Sequence, residues 1–260
     1  MQIWQGIVLG AIQGFAEFLP ISSSGHLILL ANWFGIYENT LFYSVMLHLG
    51  TLIPVIIILW KKILGLFKSP FSLLFALIVA TIPAGLVGLI FSKLIDLDTL
   101  FAENIYLLSI SFFLTAFAML IAEKRSKKLP LIKDITTKSA FIMGCGQAIG
   151  VMPGISRSGS TLFFGTLAKV DSENNANFTF LMSIPIILSA VMLESFEIVK
   201  SNYAIQIDIV PLVFGIITSA VCGYIAINFM LSVIKKAKYK WFSVYLVLIG
   251  MANLIVYFAR

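Results

Sequence analysis

The chain has 260 residues, of which 60% are hydrophobic and only 12% are charged, and its mean hydropathy is +1.01. Soluble domains carry about 25% charged residues, so this composition excludes an ordinary soluble protein and predicts one that crosses a lipid bilayer several times. The net charge of +6 is better explained by loops on one side of a membrane than by nucleic-acid binding, since the sequence shows no basic surface interleaved with aromatic residues.

The first apolar region spans Met1–Phe34 and is broken at Pro20–Gly25. A helix needs about 20 apolar residues to cross a bilayer, and each half of this region is too short. Irregular backbone at membrane depth is tolerated only where protein or a cavity surrounds it. We therefore predict a re-entrant helical hairpin in this region rather than a spanning helix.

The break carries a polar motif, QGFAEFLPISSSGH, within this apolar region. Gln13 and Glu17 are one turn apart and should share a helix face, and Pro20 should end that helix. A second helix should start near Gly25, with three hydroxyls available to cap it, those of Ser22, Ser23 and Ser24. Unpaired N–H groups at a helix start attract phosphate, and an intramembrane carboxylate is a functional candidate by default. We therefore predict a phosphate site here, in which Glu17 supplies an acid and His26 a titratable base.

Three apolar spans complete the first half. They lie near Leu41–Trp60, Leu73–Leu94 and Ile105–Ala122. We expect a basic loop after the first span, with Lys61, Lys62 and Lys68, and an acidic loop after the second, with Asp96, Asp98 and Glu103. The polar stretch 123–138 then serves as a linker within a single membrane domain, 1–260, so that repeat one covers 1–122 and repeat two covers 139–260.

The second half repeats the first at a nearly constant spacing. Gln147 lies 134 residues after Gln13, and the same spacing separates Ser156, Ser158 and Gly159 from Ser22, Ser24 and Gly25. Each half thus holds one broken hairpin and three spans, and an odd number of spans inverts the second half relative to the first. The predicted fold is an all-α polytopic membrane protein with an inverted-topology repeat: six transmembrane helices plus two re-entrant broken-helix hairpins.

The distribution of basic residues predicts the orientation of this fold. Fourteen of the 18 Lys and Arg residues fall on the side opposite the N-terminus, including Lys127, Lys128 and the lysines from Lys235 to Lys240. The positive-inside rule places that side in the cytoplasm and both termini outside.

The second broken hairpin carries the motif PGISRSGST, Pro153–Thr161. Arg157 takes the place that Ser23 holds in the first copy, and inverted repeats bring two such hairpins together near the midplane. We predict that the planar guanidinium grips phosphate with two hydrogen bonds. Hydroxyls and backbone N–H groups would complete the phosphate site, from Ser156, Ser158, Gly159, Ser160 and Thr161 together with Ser22, Ser24 and Gly25. The alternative is that Arg157 snorkels to the membrane surface from a capped turn.

The two motifs resemble the signatures of the undecaprenyl-pyrophosphate phosphatases, the bacitracin-resistance family of bacterial membrane enzymes. QGFAEFLPISSSGH is similar to the family's (E/Q)xxxE and SSxGH elements, and PGISRSGST to its PGxSRSGxT element, and the resemblance covers essentially the whole chain. It implies hydrolysis of undecaprenyl diphosphate to the monophosphate carrier of cell-wall (peptidoglycan) synthesis, with bacitracin resistance as a consequence. It also implies a multi-pass protein of the bacterial cytoplasmic (inner) membrane, with an active site open to the outer face.

The resemblance further implies a divalent cation, usually Mg²⁺. Gln13 stands where many relatives carry Glu, so a metal held by Gln13 and Glu17 would depend mainly on Glu17. Pyrophosphate hydrolysis needs charge neutralisation, which Arg157 and the helix starts supply, and an in-line nucleophile. From the residues alone the nucleophile could be Ser23, His26 or water. Glu17 could either hold the metal or orient His26.

Two other functions can be compared with this interpretation. A lipid-carrier transporter or flippase with a phosphate-binding midplane site is the main alternative, because inverted repeats with broken helices are typical of transporters. An acid phosphatase of the PAP2 type is disfavoured, because it would need a downstream histidine and none follows His48. We expect His48 itself to be a hydrogen-bonded packing residue. The expected partners are a polyprenyl diphosphate substrate and membrane lipids, and the sequence leaves a homodimer open.

Overall fold

The computed structural model describes residues 1–35, 40–95, 97–126, 132, 134–201, 208–235 and 238–259. These residues form eleven α-helices and, apart from an isolated bridge between Ile132 and Val170, no β-structure. In chain order the helices are α1 (Ile3–Phe18), α2 (Ser23–Phe34), α3 (Thr40–Leu66), α4 (Ser72–Leu94), α5 (Leu97–Glu103), α6 (Tyr106–Ser126), α7 (Thr137–Ile149), α8 (Arg157–Leu167), α9 (Ser172–Ser201), α10 (Ile209–Lys235) and α11 (Lys240–Ala259).

Among the described residues, six helices are long and apolar enough to cross a membrane: α3, α4, α6, α9, α10 and α11. This finding confirms the predicted all-α polytopic fold with six transmembrane helices. The two short pairs, α1–α2 and α7–α8, lie where the sequence predicts the broken hairpins. Their re-entrant path and the inversion of the second half stay predictions.

Three element boundaries differ from those expected from the sequence. α3 continues to the buried Leu66, so Lys61 and Lys62 lie inside this helix instead of in a loop. Lysine is a good helix former, and its long stem can follow an apolar helix surface to water. The short helix α5 occupies most of the predicted acidic loop, whose Asp96 lies outside the described residues. α2 begins at Ser23 rather than near Gly25, because the residue before it serves as the N-cap.

The predicted linker, 123–138, is described only in part. α6 extends into its beginning and ends at Ser126, and α7 starts at Thr137. Lys127 and Lys128 lie outside the described residues, so the division into two repeats stays a prediction.

Helices from the two halves of the chain pack backbone to backbone. α1 lies along α10, and a Cβ atom on Gly14 of α1 would come within 2.5 Å of the Ser219 carbonyl oxygen and 2.7 Å of Cys222 Cβ. Gly6 and Gly10 contact the α10 backbone in the same way. In addition, α4 packs against α7 and α6 against α11. Small residues permit such close approach between membrane helices, and here they fix the position of the helix that carries the first motif.

Candidate active site

The first motif folds into a tight elbow between α1 and α2. α1 ends at Phe18, and Leu19 has the extended backbone (φ −77°, ψ 145°) expected just before a proline. Ser22 then has a positive φ of 71°, and its hydroxyl accepts a hydrogen bond from the Gly25 N–H at 3.3 Å. One of the three serines of the motif therefore caps the second helix.

The second motif builds a similar elbow between α7 and α8. Gly154 has a φ of 81°, in the left-handed region that favours glycine. The Ser156 hydroxyl accepts a hydrogen bond from the Gly159 N–H at 3.0 Å and caps α8. The Ser156 N–H in turn donates to the Thr115 hydroxyl on α6 at 3.2 Å. Each copy of the motif thus forms a serine-capped helix start.

The two elbows lie in direct contact. The Ser158 hydroxyl donates a hydrogen bond to the Leu19 carbonyl oxygen at 3.1 Å. A Cβ atom on Gly25 would lie only 2.8 Å from Gly154 Cα, so the two turns meet without room for a side chain. The two helix starts therefore belong to one site.

Glu17 lies at the centre of this site, and its side chain is buried. Its Oε1 forms an ion pair with the Arg157 guanidinium through Nη2. Its Oε2 accepts hydrogen bonds from the Ser23 hydroxyl at 2.8 Å and from the Gln13 amide nitrogen at 3.0 Å. His48 Nε2 lies 3.3 Å from the same oxygen. Arg157 therefore faces inward, and the alternative in which it snorkels to the membrane surface does not describe this structure.

His26 is held by groups other than Glu17. Its Nδ1 lies 2.7 Å from the Ser22 carbonyl oxygen, and its Nε2 lies 2.7 Å from the Tyr245 hydroxyl on α11. The imidazole lies in the first turns of α2 and reaches back to its own N-cap, Ser22. Among the described contacts, the histidine beside Glu17 is His48, so the expectation that Glu17 orients His26 is wrong.

Buried polar atoms without a partner surround the ion pair. Among the described residues they include Arg157 Nη1, Gln13 Oε1 and both amide atoms of Gln147. Gly150 lies close to Arg157, because a Cβ atom added at Gly150 would come within 2.6 Å of Arg157 Cα. Gln147 lies one turn before Gly150, so we assign the Gln147 amide to the same region. A buried polar group without a partner costs about 1–3 kcal/mol. These atoms therefore mark a place for a polar ligand, and the guanidinium favours an anion.

Several hydroxyls of the predicted phosphate site already have protein partners. Ser24 Oγ lies 3.4 Å from Ser22 Oγ, and the Thr161 hydroxyl donates to the Arg157 carbonyl oxygen at 2.8 Å. The others are buried at the start of α8: Ser156, Ser158, Gly159 and Ser160. The group still free for an anion is thus the buried guanidinium nitrogen Nη1. The Gly25 and Gly159 N–H groups donate to the capping serines, so at each helix start only the N–H groups of the preceding first-turn residues lack an intrahelical acceptor.

Few side chains here could hold a metal ion. Within the described part of the chain, no group of three or more His, Cys, Asp and Glu side chains converges. Glu17 supplies one carboxylate, and Gln13 Oε1 is a buried oxygen without a partner. Mg²⁺ is commonly bound through one or two carboxylates plus the oxygens of a substrate phosphate, and these two residues supply oxygens for a minimal site of that kind. Because Gln13 turns its amide nitrogen toward Glu17 Oε2, an ion shared by both side chains would require this amide to turn over.

Three residues of this site carry little or no signal in the sequence. From the sequence His48 is expected to be a packing residue, but in the structure it contacts Glu17. The feature of the sequence that could have indicated a functional role is an ionisable side chain within a membrane span. Gln147 has a signal in its match to Gln13 in the repeat. Tyr245 lies in an ordinary apolar span, 219 residues from His26, and nothing nearby in the sequence points to it.

The chain is similar to known proteins along almost all of its length. Residues 6–252 match the family model described as Bacitracin resistance protein BacA. A protein from Carboxydothermus hydrogenoformans named Undecaprenyl-diphosphatase is 37% identical over 262 residues, which cover 98% of each chain. A relative of the same name from Treponema denticola is 38% identical over 99% of this chain and 98% of its own. Another from Thermodesulfovibrio yellowstonii is 36% identical over 100% of this chain and 99% of its own.

Proposed function

The chain belongs to the BacA family of bacitracin resistance proteins, and from this premise we propose that it is a membrane phosphatase that hydrolyses undecaprenyl diphosphate. Its products are inorganic phosphate and undecaprenyl phosphate, the lipid carrier of cell-wall synthesis. Relatives named for this activity match over nearly the full chain, and six apolar helices make the protein a multi-pass membrane protein. Regeneration of the carrier explains the link to bacitracin resistance.

One arrangement supports this chemistry above all others: a hydroxyl, a carboxylate and a guanidinium in one chain of contacts. The Ser23 hydroxyl donates to Glu17 Oε2 at 2.8 Å, and Glu17 Oε1 pairs with Arg157. The second terminal nitrogen of that guanidinium, Nη1, is buried and has no partner. A nucleophile, a base for its proton and a cation for phosphoryl oxygens are therefore adjacent.

We assign the attack on the terminal phosphorus to Ser23 Oγ. Its proton passes to Glu17 and then to the departing phosphate; the Oγ–P bond forms as the bridging P–O bond breaks, and undecaprenyl phosphate leaves. Water then gives a proton to Glu17 and attacks the phosphoserine; the Oγ–P bond breaks, Ser23 Oγ takes that proton from Glu17, and inorganic phosphate leaves. Arg157 Nη1 and the N–H groups of the two helix starts stabilise the charge on the phosphoryl oxygens. His26 takes no part in this attack, because both of its ring nitrogens have partners.

Mg²⁺ is a further part of the proposal. Glu17 and Gln13 would hold the ion, which would neutralise charge on the diphosphate. The amide oxygen of Gln13 carries no negative charge, so the site would hold the metal through a single carboxylate. A grip on phosphate by both terminal nitrogens of Arg157 would require its ion pair with Glu17 to open.

We also propose that the protein lies in the bacterial cytoplasmic membrane with both termini and the active-site opening on the outer side. Exposed basic residues support this orientation. Lys68 follows α3 and Arg125 lies in the last turn of α6, two helices that would cross the membrane in the same direction. Basic residues near the ends of spans favour the cytoplasmic side.

The test is phosphate release by the purified protein. The folded protein in detergent with Mg²⁺ should release inorganic phosphate from undecaprenyl diphosphate, and Glu17→Gln, which keeps the side-chain size, should release almost none. The transporter alternative predicts binding without release, and no contact of the described residues favours it. Absence of phosphate release by the folded, unmodified protein would refute the proposed function.

A further inference from the structure

The imidazole of His26 is enclosed by two aromatic rings from spanning helices. The Tyr245 ring lies nearly parallel to it, with an interplanar angle of 9° and a centroid distance of 5.6 Å. The Phe112 ring on α6 also contacts it, with a centroid distance of 5.3 Å and an interplanar angle of 49°. His26 itself is buried, whereas Tyr245 is 40% exposed. The second half of the chain therefore reaches the first elbow through the tyrosine of α11.

The hydrogen bonds of His26 define where its hydrogen lies. A carbonyl oxygen only accepts, so Nδ1 must carry the hydrogen that is donated to the Ser22 carbonyl at 2.7 Å. Nε2 of the neutral ring then has a lone pair, which accepts the hydrogen of the Tyr245 hydroxyl at 2.7 Å. Both nitrogens are satisfied, and neither is free to take a proton from Ser23.

The turn on which His26 acts has an unusual backbone conformation. Ser22 has a φ of 71°, and positive values are uncommon for residues other than glycine. Such a conformation persists only when surrounding contacts impose it. Contacts of this kind hold Ser22 here: its carbonyl accepts from His26 Nδ1 at 2.7 Å and, more weakly, from the His26 backbone N–H at 3.4 Å, and its hydroxyl accepts from the Gly25 N–H. Ser23 follows directly, and its hydroxyl must lie at Glu17 Oε2 to lose its proton.

We infer that Tyr245 is a positioning residue of the phosphatase reaction. Its hydroxyl fixes the ring of His26, the ring fixes the carbonyl of Ser22, and this turn presents the hydroxyl of Ser23 to the catalytic carboxylate. This inference rests on the proposed function, because it assigns the attack to Ser23.

Tyr245→Phe tests the inference because it removes only the hydroxyl. A lost hydrogen bond of ordinary strength predicts a fall in kcat of about three- to tenfold, with KM changed less than kcat, since Arg157 itself is untouched. The matched control is Tyr257→Phe on the same helix. Tyr257 is 39% exposed and packs its ring against Tyr106 and Phe258, so this variant should keep the kinetics of the unmodified protein. A Tyr245→Phe variant with unchanged kcat, or with a raised KM instead, would overturn the inference.

Histidine NMR supplies a second measurement, which tests the hydrogen bond itself independently of activity. The chain has two histidines, so ¹⁵N-histidine labelling gives few signals, and His48→Gln identifies those of His26. The unmodified protein should show His26 neutral with its hydrogen on Nδ1. The Nε2 signal should shift in Tyr245→Phe and stay in place in Tyr257→Phe. A hydrogen on Nε2, or a signal that Tyr245→Phe leaves unchanged, would refute the bond on which the inference depends. If the unmodified protein releases no phosphate, the proposed function fails, and these spectra still decide whether the bond exists.

Discussion

His48 Nε2 lies 3.3 Å from Glu17 Oε2, while His48 Nδ1 lies 2.7 Å from the Ser44 carbonyl oxygen. The carbonyl requires a hydrogen on Nδ1, and a carboxylate oxygen requires one on Nε2, so this geometry fits a protonated imidazole. Glu17 is then flanked by two cations, His48 and Arg157. The carboxylate keeps its negative charge in this buried site because both of its oxygens have charged or polar partners.

Removal of the His48 contact should impair catalysis. Hydrogen bonds to charged groups contribute about 1.5–3 kcal/mol, so His48→Leu should lower kcat about tenfold or more by loosening Glu17. His48→Gln keeps an N–H donor and should retain more activity than the leucine variant. Steady-state phosphate release by both variants, normalised to folded protein, is the measurement. Equal activity of His48→Leu and the unmodified protein would show that His48 is only a packing residue.

A covalent intermediate should form on Ser23. Substrate labelled in its terminal phosphate and quenched in acid within one turnover should leave labelled phosphoserine on the protein, and Ser23→Ala should leave none. Ser183→Ala is the control, because that buried hydroxyl donates to the Phe180 carbonyl oxygen at 2.7 Å, in α9. Single-turnover phosphate release from the unmodified protein without a labelled serine would show that water attacks directly.

Two substitutions of Arg157 should show how much of its effect on catalysis comes from its charge and how much from its planar shape. Arg157→Ala should lower kcat/KM by roughly two orders of magnitude or more, since each charge-assisted hydrogen bond is worth about 1.5–3 kcal/mol. Arg157→Lys keeps a positive charge but loses the planar fork that reaches Glu17 and phosphate together, so it should lose much of the activity. Arg125→Ala, at the exposed end of α6, is the control and should stay active. A fully active lysine variant would mean that only a point charge is needed, and a fully active alanine variant would remove Arg157 from the site.

Gln13→Glu should create a stronger and measurable metal dependence. Gln13 Nε2 donates to Glu17 Oε2 at 3.0 Å, so a second carboxylate there would replace a hydrogen bond with repulsion between like charges. Thermal unfolding in EDTA should therefore occur at a lower temperature than for the unmodified protein, and Mg²⁺ should raise Tm more in the variant. Gln5→Glu, on the same helix near its start, should show no added response to Mg²⁺. An equal response of the two glutamate variants would argue against a metal held by Gln13 and Glu17.

Thiol labelling should reveal the orientation in the membrane. In a background without Cys145 and Cys222, single cysteines would replace the exposed Glu103 and Lys68. An impermeant reagent added to intact cells should label position 103, and it should label position 68 only after permeabilisation. The reverse pattern would show that the protein has the opposite orientation in the membrane.

Local sequence signals predict the helices and their caps well, because these depend on neighbouring residues. The apolar runs predict the six long helices, and Ser22 and Ser156 cap helices in their motifs as serine does elsewhere. Glu17 and Arg157 could be placed in one site because both interrupt an apolar region with groups that are costly to bury there.

The partners of those residues could not be predicted in the same way. His26 has a carbonyl acceptor within its own turn and a hydroxyl donor on the last helix, and only the packing of α11 on α6 brings Tyr245 to it. His48 reaches Glu17 only through the packing of α3 against α1. Contacts between distant segments depend on how whole helices cross, and no local pattern encodes that.

The glycine contacts between α1 and α10 restrict how the protein can move. The Ser219 carbonyl oxygen occupies the space where a side chain at position 14 would stand, so α1 cannot slide or turn against α10 without losing backbone contact along its length. Glu17 lies less than one turn further along α1, and its position is set by this crossing. A carrier that exposes one site alternately to two sides must shift its halves against each other. The close crossing favours a stationary reaction centre, to which the lipid diphosphate must diffuse within the plane of the membrane.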